Sequence, residues 1–92
     1  MNLSVIIPCF NEEKTISKII EKVKKNIKEN DEIIVIDDFS NDKTRNILDS
    51  ELKESINHLI FNEKNFGKGF SIKKGIEKAK NEIILIQDAD LE

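Results

Sequence analysis

Apolar and polar positions occur in blocks along this chain. Four short apolar runs are separated by about 21 to 25 residues of polar, helix-forming sequence. The runs are Leu3–Ile7, Ile33–Ile36, Leu59–Phe61 and Ile83–Ile86. Runs of this length that are rich in β-branched residues are typical of strands buried on both faces of a sheet. The pattern therefore predicts four buried strands.

The segment after the first run predicts an amphipathic helix, because apolar residues recur there at steps of three and four. These residues are Ile16, Ile19, Ile20, Val23 and Ile27. Asn11 is the predicted N-cap of this helix. Glu12 and Glu13 are then expected in its first turn, where the helix dipole favours negative charge.

The next two segments predict further helices. The second helix begins after Asp42 and carries a thin apolar stripe, which consists of Ile47, Leu48 and Leu52. The third runs from about 69 to 80 and carries small residues at steps of four, which let a helix lie close to a sheet. These small residues are Ser71, Gly75 and Ala79.

This alternation predicts an α/β fold, with a parallel sheet of about four strands, three helices and right-handed crossovers. In the predicted strand order 3-2-1-4, the second and third strands lie on one side of the first strand and the fourth lies on the other. This change of side opens a crevice between the first and fourth strands, at their carboxyl ends. Segments that carry candidate binding residues follow three of the strands at that edge. They are Pro8–Glu12, Asp37–Asp38 and Asp88–Asp90.

Composition narrows the functional classes. The 92 residues are expected to form one domain, and a net charge of −3 gives no sign of a nucleic-acid partner. Cys9 is the single cysteine, so no internal disulfide forms and a reducing, cytoplasmic compartment is expected. No apolar run approaches the roughly 20 residues that span a bilayer. Contact with the cytoplasmic face of a membrane is expected only through segments beyond residue 92.

The last five residues carry three carboxylates, those of Asp88, Asp90 and Glu92. Acid groups this close repel one another unless a cation lies between them, and hard oxygen ligands suit Mg²⁺ or Mn²⁺. Two aspartates at i and i+2 point to opposite faces of a regular strand, so they share a ligand only if the chain turns there. A metal site is predicted, with a solvated acidic turn as the alternative.

Three segments together resemble a known family. They are Val5–Glu13, Val35–Thr44, and Gly67–Gly69 leading to Asp88–Asp90. Their order and spacing are similar to the amino-terminal part of a family 2 inverting glycosyltransferase of the GT-A fold, in particular a polyprenyl-phosphate (dolichyl-phosphate) mannosyl- or glucosyltransferase. The resemblance covers essentially all of the chain. Phe39 departs from it, because the family usually has a small residue after the acid pair.

The resemblance implies a Rossmann-like GT-A half that binds a UDP- or GDP-sugar. The residues that it implies for the nucleotide are Pro8, Phe10, Glu12, Ile36, Asp38, Lys68, Asp88 and Ala89. Asp88 is expected towards the ribose or the metal, and Asp90 on the metal. Glu92 matches a position where related enzymes place a further metal-side ligand.

The resemblance also implies what lies outside the chain. The catalytic base and the acceptor site are expected after residue 92, with a membrane lipid phosphate as a candidate acceptor, so no catalytic residue is predicted within this chain. Two other functions stay open: a nucleotide-binding remnant without turnover, and a phospho-receiver-like signalling domain. Lys68 and its flanking glycines are equally well explained as a helix-start loop, and structural roles are favoured for His58 and for a buried Cys9 thiol.

Overall fold

The structure, a computed structural model, describes residues 1–90. Strands and helices alternate as predicted, with one short 3-10 helix added before the third strand. The elements are β1 (Leu3–Cys9), α1 (Ile16–Asn26), β2 (Glu32–Asp37), α2 (Thr44–Ser50), a 3-10 helix (Lys53–Ser55), β3 (His58–Phe61), α3 (Lys68–Lys78) and β4 (Ile83–Ile86). The α/β fold class is thus confirmed.

The four strands form one parallel sheet in the order β3-β2-β1-β4, which confirms the predicted order. In the register, Val5 of β1 lies between Ile33 of β2 and Leu85 of β4. Successive strands are therefore added on one side of β1 as far as β3, and β4 is added on its other side. The loops after these strands meet at one edge of the sheet, where ligands bind in open α/β folds.

Isoleucine and valine fill the core on both faces of the two central strands. Val5 and Ile7 belong to the larger cluster, with buried residues of α1 and α2, whereas Ile6, Ile34 and Ile36 form a smaller cluster. All of these strand residues are fully buried. Alternation of side chains along β1 thus divides it between two packed faces.

The prediction that all four strands are buried on both faces is wrong for β3 and β4. All four side chains of β4 are exposed, by 36 to 47%. Those of β3 are half-buried or exposed. Both strands lie at the edges of the described sheet, and α3 packs mainly against β1 and β2. An apolar run identifies a strand, but its burial depends on what lies beside it.

The predicted start of the first helix is also wrong. Thr15, not Asn11, precedes α1, and the helix begins at Ile16. Asn11 has a positive φ of 53°, and its side-chain oxygen accepts the backbone N–H of Asn41 at 2.9 Å. Because this contact joins two loops, the side chain cannot also cap α1. Neither Glu12 nor Glu13 lies in the first turn of α1, which contains no acidic residue; Glu13 belongs to the turn at 13–15 that precedes the helix.

Close packing between α3 and the sheet depends on the predicted row of small residues. Ser71 and Gly75 are both buried in α3. A Cβ atom added to Gly75 would lie 2.6 Å from Cγ2 of Ile6 and 2.9 Å from Cδ1 of Ile36. These distances are shorter than van der Waals contact, so only glycine allows this spacing.

We therefore expect Gly75→Ala to lower the free energy of unfolding by about 1–3 kcal/mol, the usual cost of overpacking a core. The matched control is Gly69→Ala in the same helix, because a Cβ atom there meets nothing within 4 Å. The control should raise stability by up to about 1 kcal/mol through helix propensity. Urea denaturation measures both changes, and equal stabilities of the two variants would contradict the close packing.

Candidate functional site

A pocket of about 300 Å³ lies at the carboxyl edge of the sheet, where the loops after β1, β2 and β4 meet. It is lined by Pro8, Cys9, Phe10, Glu12, Asp38, Lys68, Ser71, Asp88, Ala89 and Asp90. Residues from both ends of the chain therefore share one rim. All but one of the residues predicted for the nucleotide are among them.

Ile36 is the predicted nucleotide residue that does not line the pocket. It is fully buried under α3, close to Gly75. The predicted metal ligand Glu92 lies outside the described residues. Conversely, Ser71 and Cys9 line the pocket although the sequence did not single them out for binding. Ser71 belongs to the small-residue row of α3, a pattern that signals packing rather than binding.

The chain bends at residues 89 and 90, directly after β4, as the shared use of two aspartates at i and i+2 requires. Asp88 and Asp90 consequently line the same pocket. The hydroxyl of Thr15 donates to the carbonyl oxygen of Ala89 at 2.6 Å, which joins the bend to the start of α1. The bend is thus fixed by a contact between distant parts of the chain.

Residues 1–90 contain no group of three acidic, histidine or cysteine side chains that could enclose a metal by themselves. Asp88 and Asp90 nevertheless fit Mg²⁺, which is commonly held by one or two carboxylates and takes its other ligands from water and substrate phosphates. The donor set thus suits a metal that arrives together with a phosphorylated ligand.

Lys68, the first residue of α3, forms an ion pair with Asp88 across the pocket. The hydrogen bond to Asp88 and its negative charge raise the pKa of Lys68, and the charge of Asp90 adds to this effect. A cation therefore lies beside the acidic pair at the point where the pocket opens to solvent.

Asp38 is 5% exposed and is bound by the segment that connects β3 to α3. One carboxylate oxygen accepts the side-chain amide of Asn62 at 2.9 Å and the backbone N–H of Phe66 at 2.8 Å. The other accepts the N–H of Gly67 at 2.8 Å. Gly67 has a positive φ of 97° and directly precedes α3. Asp38 thereby fixes the chain just before Lys68.

Asp37 is fully buried and fixes the loop between β2 and α2. Its carboxylate accepts the backbone N–H of Ser40 at 3.0 Å and the Ser40 hydroxyl at 2.6 Å. Nε of Arg45 lies 3.2 Å away, and the guanidinium is 4.6 Å from the ring centre of Phe61. Between these contacts Phe39 adopts a φ of 66°, a conformation that favours glycine. A glycine would adopt this conformation without the steric cost that phenylalanine has there.

The loop after β1 is hydrogen-bonded to the loop after β2. The backbone N–H of Asn11 donates to the Ser40 hydroxyl at 2.8 Å, and that of Glu12 donates to the Thr44 hydroxyl at 2.9 Å. Asp42 binds the N–H of Thr44 at 2.9 Å, so it satisfies the start of α2. Glu12 is thus held at the pocket by its backbone, and its carboxylate accepts a hydrogen bond from the Thr15 hydroxyl at 3.3 Å.

Cys9 and His58 lie in environments that favour structural roles. Burial raises the pKa of the Cys9 thiol, and the charge of the neighbouring Asp37 raises it further, so the thiolate is disfavoured. His58 lies at the start of β3, away from the carboxyl edge, with Nε2 3.7 Å from the buried carboxylate of Glu32. Neither residue offers a nucleophile to the pocket.

Comparison with known proteins shows the family to which this chain belongs. The model of glycosyl transferase family 2 matches residues 4–92, and the chain belongs to this family. It is 32% identical over 97 residues to dolichyl-phosphate beta-glucosyltransferase ALG5A of Trichomonas vaginalis, covering 96% of the chain and 30% of that protein. It is 32% identical over 96 residues to undecaprenyl-phosphate 4-deoxy-4-formamido-L-arabinose transferase of Pectobacterium atrosepticum, covering 99% and 29%.

Solved structures agree with this assignment. The S. aureus TarS 1-349 complex with UDP-GlcNAc matches with a TM-score of 0.86 and 30% identity, over 98% of this chain and 27% of that one. Mannosyltransferase PcManGT from Pyrobaculum calidifontis, in complex with GDP-Man and Mn²⁺, matches with a TM-score of 0.84 and 25% identity, over 96% and 27%. The chain spans about 30% of the length of the curated relatives that it matches. None of the helices within residues 1–90 has the length and apolar character to cross a membrane.

The ion pair across the pocket can be tested by titration. We expect Asp88→Asn to lower the pKa of Lys68 towards its usual 10.5, because the variant removes the charged hydrogen-bond acceptor. Asp90→Asn is the matched control and should lower this pKa less, since Asp90 acts on Lys68 only through its charge. NMR titration of the Lys68 side chain measures both shifts. A larger change of the Lys68 pKa in Asp90→Asn than in Asp88→Asn would contradict the ion pair between Lys68 and Asp88.

Proposed function

We propose that residues 1–92 form the nucleotide-sugar-binding part of a glycosyltransferase that moves a sugar from a UDP- or GDP-sugar to an acceptor. One observation carries the proposal: Asp38 and the pair Asp88 and Asp90 line the same pocket although 50 residues separate Asp38 from Asp88 in the sequence. Carboxylates from separate parts of the chain in one pocket suit a ligand that carries both a hydrogen-bond donor and a metal-bound diphosphate.

In this proposal the residues divide by chemistry. Pro8 and the 42%-exposed ring of Phe10 contact the flat, apolar faces of the nucleoside. Asp38 accepts a hydrogen bond from the base, and Glu12 binds near the ribose. Lys68 faces the diphosphate, and its ion pair with Asp88 keeps its ammonium group beside the acidic pair before the ligand arrives.

Asp88 and Asp90 would hold the metal, with Glu92 as a further ligand and Ala89 in contact with the nucleotide between them. Mg²⁺ or Mn²⁺ bound there would neutralise the diphosphate and stabilise its negative charge as it leaves the sugar. The chain's own contribution is to fix the two aspartates at a bend and to exclude water on the buried side of Ala89, which is 4% exposed.

The acceptor is a second part of the proposal. Relatives are named for dolichyl phosphate and undecaprenyl phosphate, which supports a polyprenyl phosphate acceptor and action at the cytoplasmic face of a membrane. We propose transfer with inversion, in which a general base deprotonates the acceptor. Because the relatives are about three times longer than this chain, the acceptor site and that base are assigned to segments outside these residues.

A nucleotide-binding protein without turnover is the second candidate. The share of the relatives that the chain covers, about 30%, favours binding without transfer for these 92 residues by themselves. The phospho-receiver alternative is set aside, because the chain belongs to glycosyl transferase family 2. Transfer assays on the 92 residues and on a longer gene product distinguish binding from activity.

Calorimetric titration with UDP in the presence and absence of Mn²⁺ tests the proposed site. We expect Mn²⁺ to strengthen UDP binding at least about tenfold, because the metal links the negative charges of the diphosphate to those of Asp88 and Asp90. Asp90→Ala should remove this gain. Asp49→Ala is the control, since Asp49 is an exposed acid of α2 that pairs with Lys53 and does not line the pocket.

Two results would contradict the proposal. One is the absence of binding heat with UDP and with GDP, each with Mn²⁺. The other is an equal effect of the metal on Asp90→Ala and on the unmodified chain, because the metal would then bind elsewhere.

A further inference from the structure

The hydrogen bonds of Asp38 limit what its carboxylate can still accept. A carboxylate has about four acceptor positions, two on each oxygen. Within residues 1–90, Asn62 and Phe66 donate to one oxygen, and Gly67 donates to the other. About one position is left, on the oxygen that Gly67 binds.

The donors are held rigidly, so this arrangement is part of the folded pocket. Two of them are backbone N–H groups in the turn before α3, and Gly67 there has a φ of 97°. The third belongs to Asn62, which is 1% exposed. Asp38 is itself 5% exposed and lines the pocket. The carboxylate therefore meets a ligand in a fixed orientation with a single acceptor position.

Nucleobases differ in how many donors they present together. Uracil has one ring N–H between two carbonyl groups, which matches one acceptor position. Guanine presents a ring N–H and an adjacent amino group, which need two acceptors side by side. Cytosine has a ring nitrogen acceptor at the corresponding position, and a carboxylate repels its lone pair. A buried donor without a partner weakens binding substantially.

We propose that the pocket selects uridine nucleotides over guanosine nucleotides, because Asp38 has one acceptor position left for the base. The inference rests on the proposed function and names the base of its donor substrate. It also assigns a task to Asn62, a residue outside the predicted site.

Asn62 acts as a positioning residue for this selection. Its side-chain amide donates to Asp38 at 2.9 Å and to the Ser71 hydroxyl at 3.0 Å, so it joins the carboxylate to a pocket-lining residue of α3. Its own side-chain oxygen is buried and has no hydrogen-bond partner within the described residues. This orientation of the amide therefore favours Asp38 at the expense of the oxygen. Without the amide, the oxygen that Phe66 binds regains one acceptor position, so the Asp38 carboxylate can offer a second acceptor to a ligand.

The experiment compares UDP with GDP by calorimetric titration in the presence of Mn²⁺. The two ligands share the ribose and the diphosphate, so the ratio of their dissociation constants reports on the base alone. We expect UDP to bind at least about tenfold more tightly, which corresponds to the loss of one hydrogen bond. Equal affinities, or tighter GDP binding, would overturn the inference and leave the proposed function intact. No binding of either ligand would overturn both.

A pair of variants tests the task of Asn62. Asn62→Leu keeps the size of the side chain and removes the donor. The ratio of the GDP dissociation constant to the UDP dissociation constant should therefore fall towards one. Asn65→Leu makes the same change at an exposed position of the same turn and should leave the ratio unchanged. If Asn62→Leu weakens both ligands with an unchanged ratio, Asn62 serves only stability and its positioning task is refuted. Asn62→Ala, which also removes the donor, gives the same comparison if leucine prevents folding.

Discussion

Two neighbouring carboxylates at the end of β2 impose the constraint on which the pocket depends. Asp37 and Asp38 are exposed by only 0% and 5%, and burial of an ionised group without partners costs several kcal/mol. Hydrogen bonds to charged groups offset this cost by about 1.5–3 kcal/mol each. The donors come from the two following loops, so those loops must lie against the strand end. The charges thus organise the chain around them.

Alternation along the strand decides which loop each carboxylate fixes. Asp37 faces the side of the sheet that holds Arg45, and it closes the loop after β2. Asp38 faces the side of α3, and it closes the turn that begins this helix. Lys68 follows that turn directly, so the position of its ammonium group depends on the Asp38 carboxylate at the end of β2. In the proposed function, the contact of Asp38 with the nucleoside and that of Lys68 with the diphosphate are therefore linked through one side chain.

The fold followed from the sequence more fully than the site did. Isoleucine-rich runs identified the strands, and their order was confirmed, because parallel crossovers leave few arrangements. Predictions from local sequence patterns were wrong where the structure depends on a residue that is distant in the sequence. Asn11 binds Asn41 instead of capping α1, and the burial of β4 depends on its neighbours. Asn62 gave no sequence signal, since its contact with Asp38 joins residues 24 positions apart. The binding roles of the pocket residues remain predictions.

The two walls of the pocket differ in mechanical compliance. The wall that contains Asp38 belongs to β2, which is paired on both sides, and three N–H donors brace it. The wall that contains Asp88 continues from β4, which pairs with β1 alone in the described sheet; the hydroxyl of Thr15 and the ammonium group of Lys68 hold it through side-chain contacts. Regions with fewer contacts open at lower energy. The side of the pocket that contains Asp38 is therefore the more rigid one, and the side that contains Asp88 is the one that adjusts at lower energy.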